Sequence, residues 1–393
     1  MPFGLRRDVR RPDDSPRTDR VSFIELFFDL VFVFALTQLS AYLYENQTPL
    51  GAFEGAIMVL ALWWAWVSTT WVTNYLDPVK LPVRGAVIGL ALIALMLSVS
   101  IADSFGERAW IFAIAYVALQ LGRVVFVILA TWRHDRTLAR RFVRILVWTI
   151  VASTFWIGGA LLPLEWQLPF WGVALTVEYL GSSLGFPVPG VASDRADDEL
   201  SGAHIAERAA LFVLIAIGEG LLVTGFTFVE LEISVEAVLA LFGAFVAAAA
   251  MWWIYFDRGE RLGSEIIEKS DSPGRLARLA YTYVHLPVIA GIVLTSVADK
   301  ELLSHPLEQS PSTVVAVLGG PALFLIGTLL FRRVLQHRWL VTYLAGILAL
   351  GILAAASPTM TPIALGLSAT AVLVAVAAAE TIVRVRSGHR SGG

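Results

Sequence analysis

No cysteine occurs in the chain, so structural disulfides and thiolate-bound metals are excluded. Charge is scarce too. Only 16% of the 393 residues are Asp, Glu, Lys or Arg, against roughly 25% in an ordinary soluble domain. There is no Gly-rich phosphate loop, and the loops are too short for a nucleotide-binding domain, which argues against an ATP-driven pump. Also missing is the apolar–polar alternation, in segments of about 10 residues, that a membrane β-barrel requires. Met1 to Arg20 is polar and Arg-rich, without the short apolar core and cleavage site of a signal peptide. The first apolar segment is therefore expected to remain.

What the chain does have is apolar residues in long blocks, 57% of the total. A block of about 20 such residues spans the ~30 Å hydrocarbon core as a helix. Twelve candidate spans follow: Val21–Tyr44, Ala52–Thr73, Val83–Ala102, Ala109–Ala130, Ile145–Leu162, Pro169–Phe186, Ala203–Phe228, Val235–Phe256, Leu279–Ala298, Val314–Phe331, Leu340–Ala356 and Pro362–Val383. The fold class is all-α, a polytopic transmembrane bundle of about 12 spans with both ends in the cytoplasm. Its sections are a basic tail (1–20), a six-helix half (21–186), a linker (187–202), a second half (203–383) and a short basic tail (384–393). Basic residues check the count. With the N-terminus inside, only Arg108 and Lys300 fall outside and Arg123 and Arg208 within spans. The other 25 of the 29 are cytoplasmic, as the positive-inside rule asks.

The halves share features. Glu25 opens span one and Glu207 stands near the start of span seven; Trp63-Trp64 in span two matches Trp252-Trp253 in span eight; spans three and nine end in Ala102-Asp103 and Ala298-Asp299. A six-plus-six parallel repeat is expected, an arrangement that in transporters places sites between the halves.

Ionisable groups inside spans each cost ~2.5–3.5 kcal/mol or more at mid-membrane, so they should face protein or water and have partners. Glu25 and Asp29, four residues apart, share one helical face near the cytoplasmic end of span one. His204, Glu207 and Arg208 lie at matching depth on span seven, Asp257 ends span eight on that side, and His285, beside Tyr283, lies about 10 Å into span nine by the helical rise. These groups are expected to converge in a polar inner vestibule. The bland alternative is helix-end groups and structural pairs. Gln38 and Glu219 lie deeper, at nearly equivalent positions in the halves. Arg123 and Glu178 are expected to neutralise each other as an ion pair. Glu219, without an obvious cation at its depth, is a candidate for proton relay or cation binding. The spacing His204-x-x-Glu207, with His285 and Asp29, suits zinc or manganese by ligand type, but no H-E-x-x-H motif accompanies it, so metal binding stays open. The tryptophans read as interface belt or packing residues.

At span one the string Glu25-Leu26-Phe27-Phe28-Asp29-Leu30-Val31-Phe32-Val33-Phe34-Ala35, continuing to Thr37-Gln38-Leu39-Ser40, closely resembles the opening signature of the bacterial low temperature requirement A membrane proteins. Further motifs follow in order: His204 before Glu207-Arg208, Leu211-Phe212-Val213 leading to Gly218-Glu219, Trp252-Trp253-x-Tyr255-Phe256-Asp257, and Tyr283-x-His285-x-Pro287. The resemblance spans essentially the whole chain. It departs at Ala209 and at Gly220, which leaves no hydroxyl beside Glu219. It implies a multi-pass protein of the bacterial inner membrane and a growth phenotype in the cold, but no settled molecular activity. The leading expectation is a secondary carrier coupled to protons or cations, with Glu219 and Asp29 titrating, His285 as relay and Arg123 and Arg208 as counter-charges. A cation channel comes second, and third a membrane-embedded enzyme acting on lipid through His204, Glu207, His285 and Asp29. No cofactor is expected, and no nucleic acid. The partners are the bilayer and a small ion or small-molecule substrate.

Overall fold

The computed structural model of the chain describes residues 8–11, 21–190, 202–257, 266–267, 270, 273–336 and 339–390. Among these residues the structure is helical, with one isolated antiparallel bridge between Arg10 and Leu76. Twelve helices follow in order: α1 Phe23–Glu45, α2 Pro49–Tyr75, α3 Leu81–Val99, α4 Ala109–Thr131, α5 Arg136–Ala160, α6 Leu164–Ser183, α7 Gly202–Val229 and α8 Val235–Phe256. The ninth, α9, is composite: a short turn Pro273–Arg278, a π-helical stretch Leu279–Val284 and a regular helix Leu286–Ser304. The last three are α10 Pro311–Gln336, α11 Val341–Ala356 and α12 Pro362–Arg390.

Local chemistry sets several boundaries. Asp135 caps α5 by accepting from the Leu138 N–H at 2.9 Å, and Ser234 caps α8 by accepting from the Ala237 N–H at 3.1 Å, each satisfying an amide that the first turn leaves open. Helix α6 stops where Gly185 takes φ +73°, letting the Phe186 N–H reach back to the Gly181 carbonyl at 2.7 Å, as a helix C-terminus favours.

Among the described residues, eleven of these helices are long and apolar enough to cross a membrane. The remaining one is α6, where Glu165, Gln167 and Glu178 dilute the apolar run. The outward faces explain what solvent the fold requires. Leu92, Met96, Phe242, Phe245, Leu348 and Ile352 are all exposed, and so much outward apolar surface marks a face meant for contact. With spans of this length, the contact is lipid. The chain is an integral, multi-pass membrane protein.

The chain divides into two compact units. The first comprises Met1–Tyr42, Pro49–Ala209 and Glu268–Ala277; the second comprises Leu43–Thr48, Ala210–Ile267 and Arg278–Gly393. In the first, α5 lies between α4 and α6, and α4 also packs on α3 and α2. Its core is aromatic: Phe112, Tyr116, Trp156 and Trp171 pack on one another, mostly with tilted rings, at centroid distances of 4.4–6.1 Å. In the second, α9 runs along α10 and α8 along α12. Small residues let α9 and α10 touch backbone to backbone. A Cβ on Gly291 would meet the Phe324 nitrogen at 2.5 Å, and one on Gly320 the Thr295 nitrogen at 2.7 Å. Close approach of this kind is how helices gain contact where lipid supplies no hydrophobic drive.

Candidate functional site

The first unit holds a cluster of charges with almost no exposed surface. Asp29, the seventh residue of α1 and so about 9 Å along it by the helical rise, is 0% exposed. Arg208, in the second turn of α7, clasps it from both sides: Nη2 donates to Asp29 Oδ1, and Nε donates to Oδ2 at 3.2 Å. Trp66 of α2 adds a third bond, its indole N–H reaching Oδ1 at 2.7 Å. The other guanidinium nitrogen of Arg208 donates to the Thr73 hydroxyl at 2.6 Å. Breaking one partner out of such a buried pair leaves an unpaired charge, at a cost of roughly 3–5 kcal/mol.

One turn earlier on α1, Glu25 draws in more of the chain. Its carboxylate accepts from Arg11 Nη2 at 3.1 and 3.3 Å and from the Ser22 amide and hydroxyl at 3.0 and 2.8 Å. His204 Nε2 stands 3.0 Å from its Oε1, and Arg208 Nη1 lies 3.7 Å away. The same ring nitrogen lies 2.9 Å from Arg11 Nη2, so Nε2 stands between a donor and an acceptor, and the side-chain amide of Asn74 stands 3.3 Å from Nδ1. With the imidazole neutral, two guanidiniums balance two carboxylates.

Arg11 arrives by a different route from the rest. The segment around it lies antiparallel to the C-terminal end of α2: the Arg11 N–H donates to the Tyr75 carbonyl at 3.1 Å and the Asp77 N–H to the Val9 carbonyl at 2.9 Å. Arg11 Nε also donates to the Thr73 and Leu76 carbonyls. This arm is held down outside the bundle as well. Lys80 Nζ donates to the Asp8 carbonyl at 2.8 Å, and Arg10 pairs with Asp135 at 3.0 Å. Arg10 also bonds Asp8 through side chain and backbone, pulling the Asp8 carboxyl down to about 2.

Of the residues singled out from sequence, Glu25, Asp29, His204 and Arg208 therefore meet in one place. Glu207 stands at their rim, accepting from the Val21 N–H at 3.0 Å. Gln38 is partly buried further along α1. The expected ion pair of Arg123 with Glu178 is not made. Tyr116 and Gln120, one turn apart on α4, donate to the two Glu178 oxygens at 2.8 Å each, and Arg123 Nη1 instead reaches the Ala65 carbonyl at 3.3 Å. The neutral donors on the same helix face reach the carboxyl first.

The others belong to the second unit. His285 is buried at the π-helical junction of α9, with Nδ1 2.8 Å from the Ala280 carbonyl and Nε2 2.8 Å from the Tyr255 hydroxyl. Nδ1 must carry the hydrogen, so Nε2 accepts from Tyr255. Tyr283 sits within the π-helical stretch, and Glu219 is partly exposed on α7. Asp257 pairs with Arg384. Among the described residues no three His, Asp or Glu side chains gather as a metal site, and the guanidiniums of Arg11 and Arg208 against Glu25 would oppose a divalent ion.

Arg11, Trp66, Thr73 and Asn74 complete the cluster and are not among the candidates the sequence offers. For Trp66, Thr73 and Asn74 a signal exists: spaced seven and eight apart, they fall on one helical face. Arg11 carries none, being one of six arginines before the first span.

A family profile described as Bacterial low temperature requirement A protein (LtrA) matches residues 20–378. The chain belongs to this family. Every cluster residue except Arg11 lies within the matched stretch. A protein of Rhizobium meliloti (strain 1021), itself uncharacterised, is 39% identical over 327 residues, which cover 82% of this LtrA chain and 80% of its relative. No solved structure matches it.

Proposed function

We propose that this LtrA chain is a secondary carrier of the bacterial inner membrane, coupled to protons or cations, with the Glu25–Asp29–His204–Arg208 cluster as its coupling element. One observation supports this above the rest: a single carboxylate, Glu25, is contacted by Arg11, His204 and Arg208. The cluster is balanced only while the imidazole is neutral and both acids are ionised. Adding one proton to Glu25 removes the acceptor of Arg11; adding it to His204 places a third cation within 2.9 Å of the Arg11 guanidinium. Either event favours release of the arm from the C-terminal end of α2, because like charges at that range in a poorly solvated site repel strongly. Proton occupancy thus selects between a paired and a released arm, which is what a coupled carrier requires.

The test is flux. Purified protein in liposomes loaded with a pH dye, challenged with a panel of monovalent and divalent cations under an imposed gradient, should move protons with at least one of them. E25Q should abolish that movement. Absence of flux with every cation, or flux unchanged in E25Q, would overturn the proposal. Unitary current steps would replace the carrier with a channel.

A further inference from the structure

The second unit encloses a cavity of about 200 Å³ where α8 and α10 finish. Trp253, Asp257, Arg332, Gln336, Glu380 and Arg384 line it. Two guanidiniums and two carboxylates again cancel, but here only Asp257 and Arg384 close on one another, and Arg332 stands 3.9 Å from Glu380.

Arg332 is the odd member. It is 6% exposed, yet its guanidinium makes one full hydrogen bond, from Nη2 to the Ile254 carbonyl at 3.2 Å. Its Glu380 contact, at 3.9 Å, is too long for a hydrogen bond, and its Nε has no partner among the described residues. A buried guanidinium left this far short of acceptors is costly. The nearby acids are committed elsewhere: Asp257 to Arg384, and Glu380 to the Thr342 hydroxyl. Such a guanidinium suits an oxyanion, and since the lining is already neutral, that oxyanion should bring a positive charge with it.

The surroundings indicate where such a molecule comes from. Trp253 is 44% exposed, with its indole N–H on Thr381, and Ile382 and Val383 beside it are more than half exposed. Indole at a helix end marks the membrane–water interface, and the apolar side chains next to it face acyl chains. We propose that this cavity binds the headgroup of a phosphate- and ammonium-bearing lipid of the inner leaflet. The phosphate would sit on Arg332, the primary ammonium toward Glu380 and Asp257, and the tails along the Ile382–Val383 face. The site is independent of the coupling cluster of the first unit.

The test is binding by purified, detergent-solubilised full-length protein to short-chain phosphatidylethanolamine, read by tryptophan fluorescence and by the melting temperature. Phosphatidylcholine, phosphatidylglycerol and soluble phosphoethanolamine are the comparisons. Phosphatidylethanolamine should bind tightest. R332Q should weaken it by about tenfold or more, and E380Q should erase the preference for ethanolamine over glycerol headgroups while phosphate-dependent binding persists. If R332Q does not fold, the headgroup preference of E380Q decides by itself. Equal binding of all three lipids, unchanged binding in R332Q, or an unchanged preference in E380Q would overturn the assignment. Phosphoethanolamine matching the lipid's affinity would overturn the membrane source.

Discussion

Each of the two units carries a cluster of the same inventory, two arginines and two carboxylates, arranged to opposite effect. In the first unit Asp29, Glu25 and Arg208 are wholly buried and locked by direct bonds. In the second, Asp257, Arg332, Glu380 and Arg384 stand around a cavity of about 200 Å³, and the Arg384–Asp257 pair is partly exposed. Charge count therefore does not determine what a cluster does. Under the two proposals above, the closed cluster is a lock that an added proton opens, and the second, where Arg332 stands 3.9 Å from Glu380, is a receptor for a lipid headgroup. The tryptophan pairs differ likewise: Trp63 and Trp64 are 3% and 6% exposed, Trp252 and Trp253 both 44%.

Four substitutions break or sharpen this contrast, in descending order of effect. R208A strands Asp29 and should cost about 3–5 kcal/mol, seen as a large fall in melting temperature or as failure to accumulate in the membrane. W66F removes one donor to a buried carboxylate and should cost about 1–3 kcal/mol in the same thermal assay. R384Q, in the part-exposed pair of the second unit, should cost no more than ~1 kcal/mol; a loss as large as that of R208A would erase the distinction between lock and receptor. D8N should have the smallest effect. Hydrogen bonds from Arg10 depress the Asp8 carboxyl to about 2. The stability it contributes is therefore present above the ordinary aspartate value and lost as pH falls through about 2. Because the pair is exposed, removing it should shift stability by less than ~0.5 kcal/mol, measured as melting temperature between pH 2 and 5.

The helices were legible because apolar runs of membrane length admit few other structures. Glu25, Asp29, His204 and Arg208 stood out for a related reason: an ionisable group in such a run must have a partner. Which partner was less accessible. Arg123 and Glu178 have opposite charges and suitable depth, yet Tyr116 and Gln120 satisfy the acid, a choice made by side-chain reach across α4 and α6. Arg11 could not be told from its five neighbouring arginines, since its place depends on backbone pairing with residues more than 60 positions away. The π-helical turn at Leu279–Val284, which sets the neutral bonding of His285, leaves no trace in periodicity over so short a stretch.

Charge balance that responds to an added proton is the core of this account, and the double variant R11Q/E25Q tests it most directly. Removing both charges keeps the cluster neutral, so the double variant should recover much of the stability lost in E25Q alone. It should still fail to couple proton movement to cation gradients in liposomes, because the carboxylate that takes up the proton and the guanidinium it releases are gone. A stable double variant that transports like the wild type would contradict the account, leaving the cluster as a structural fastening alone.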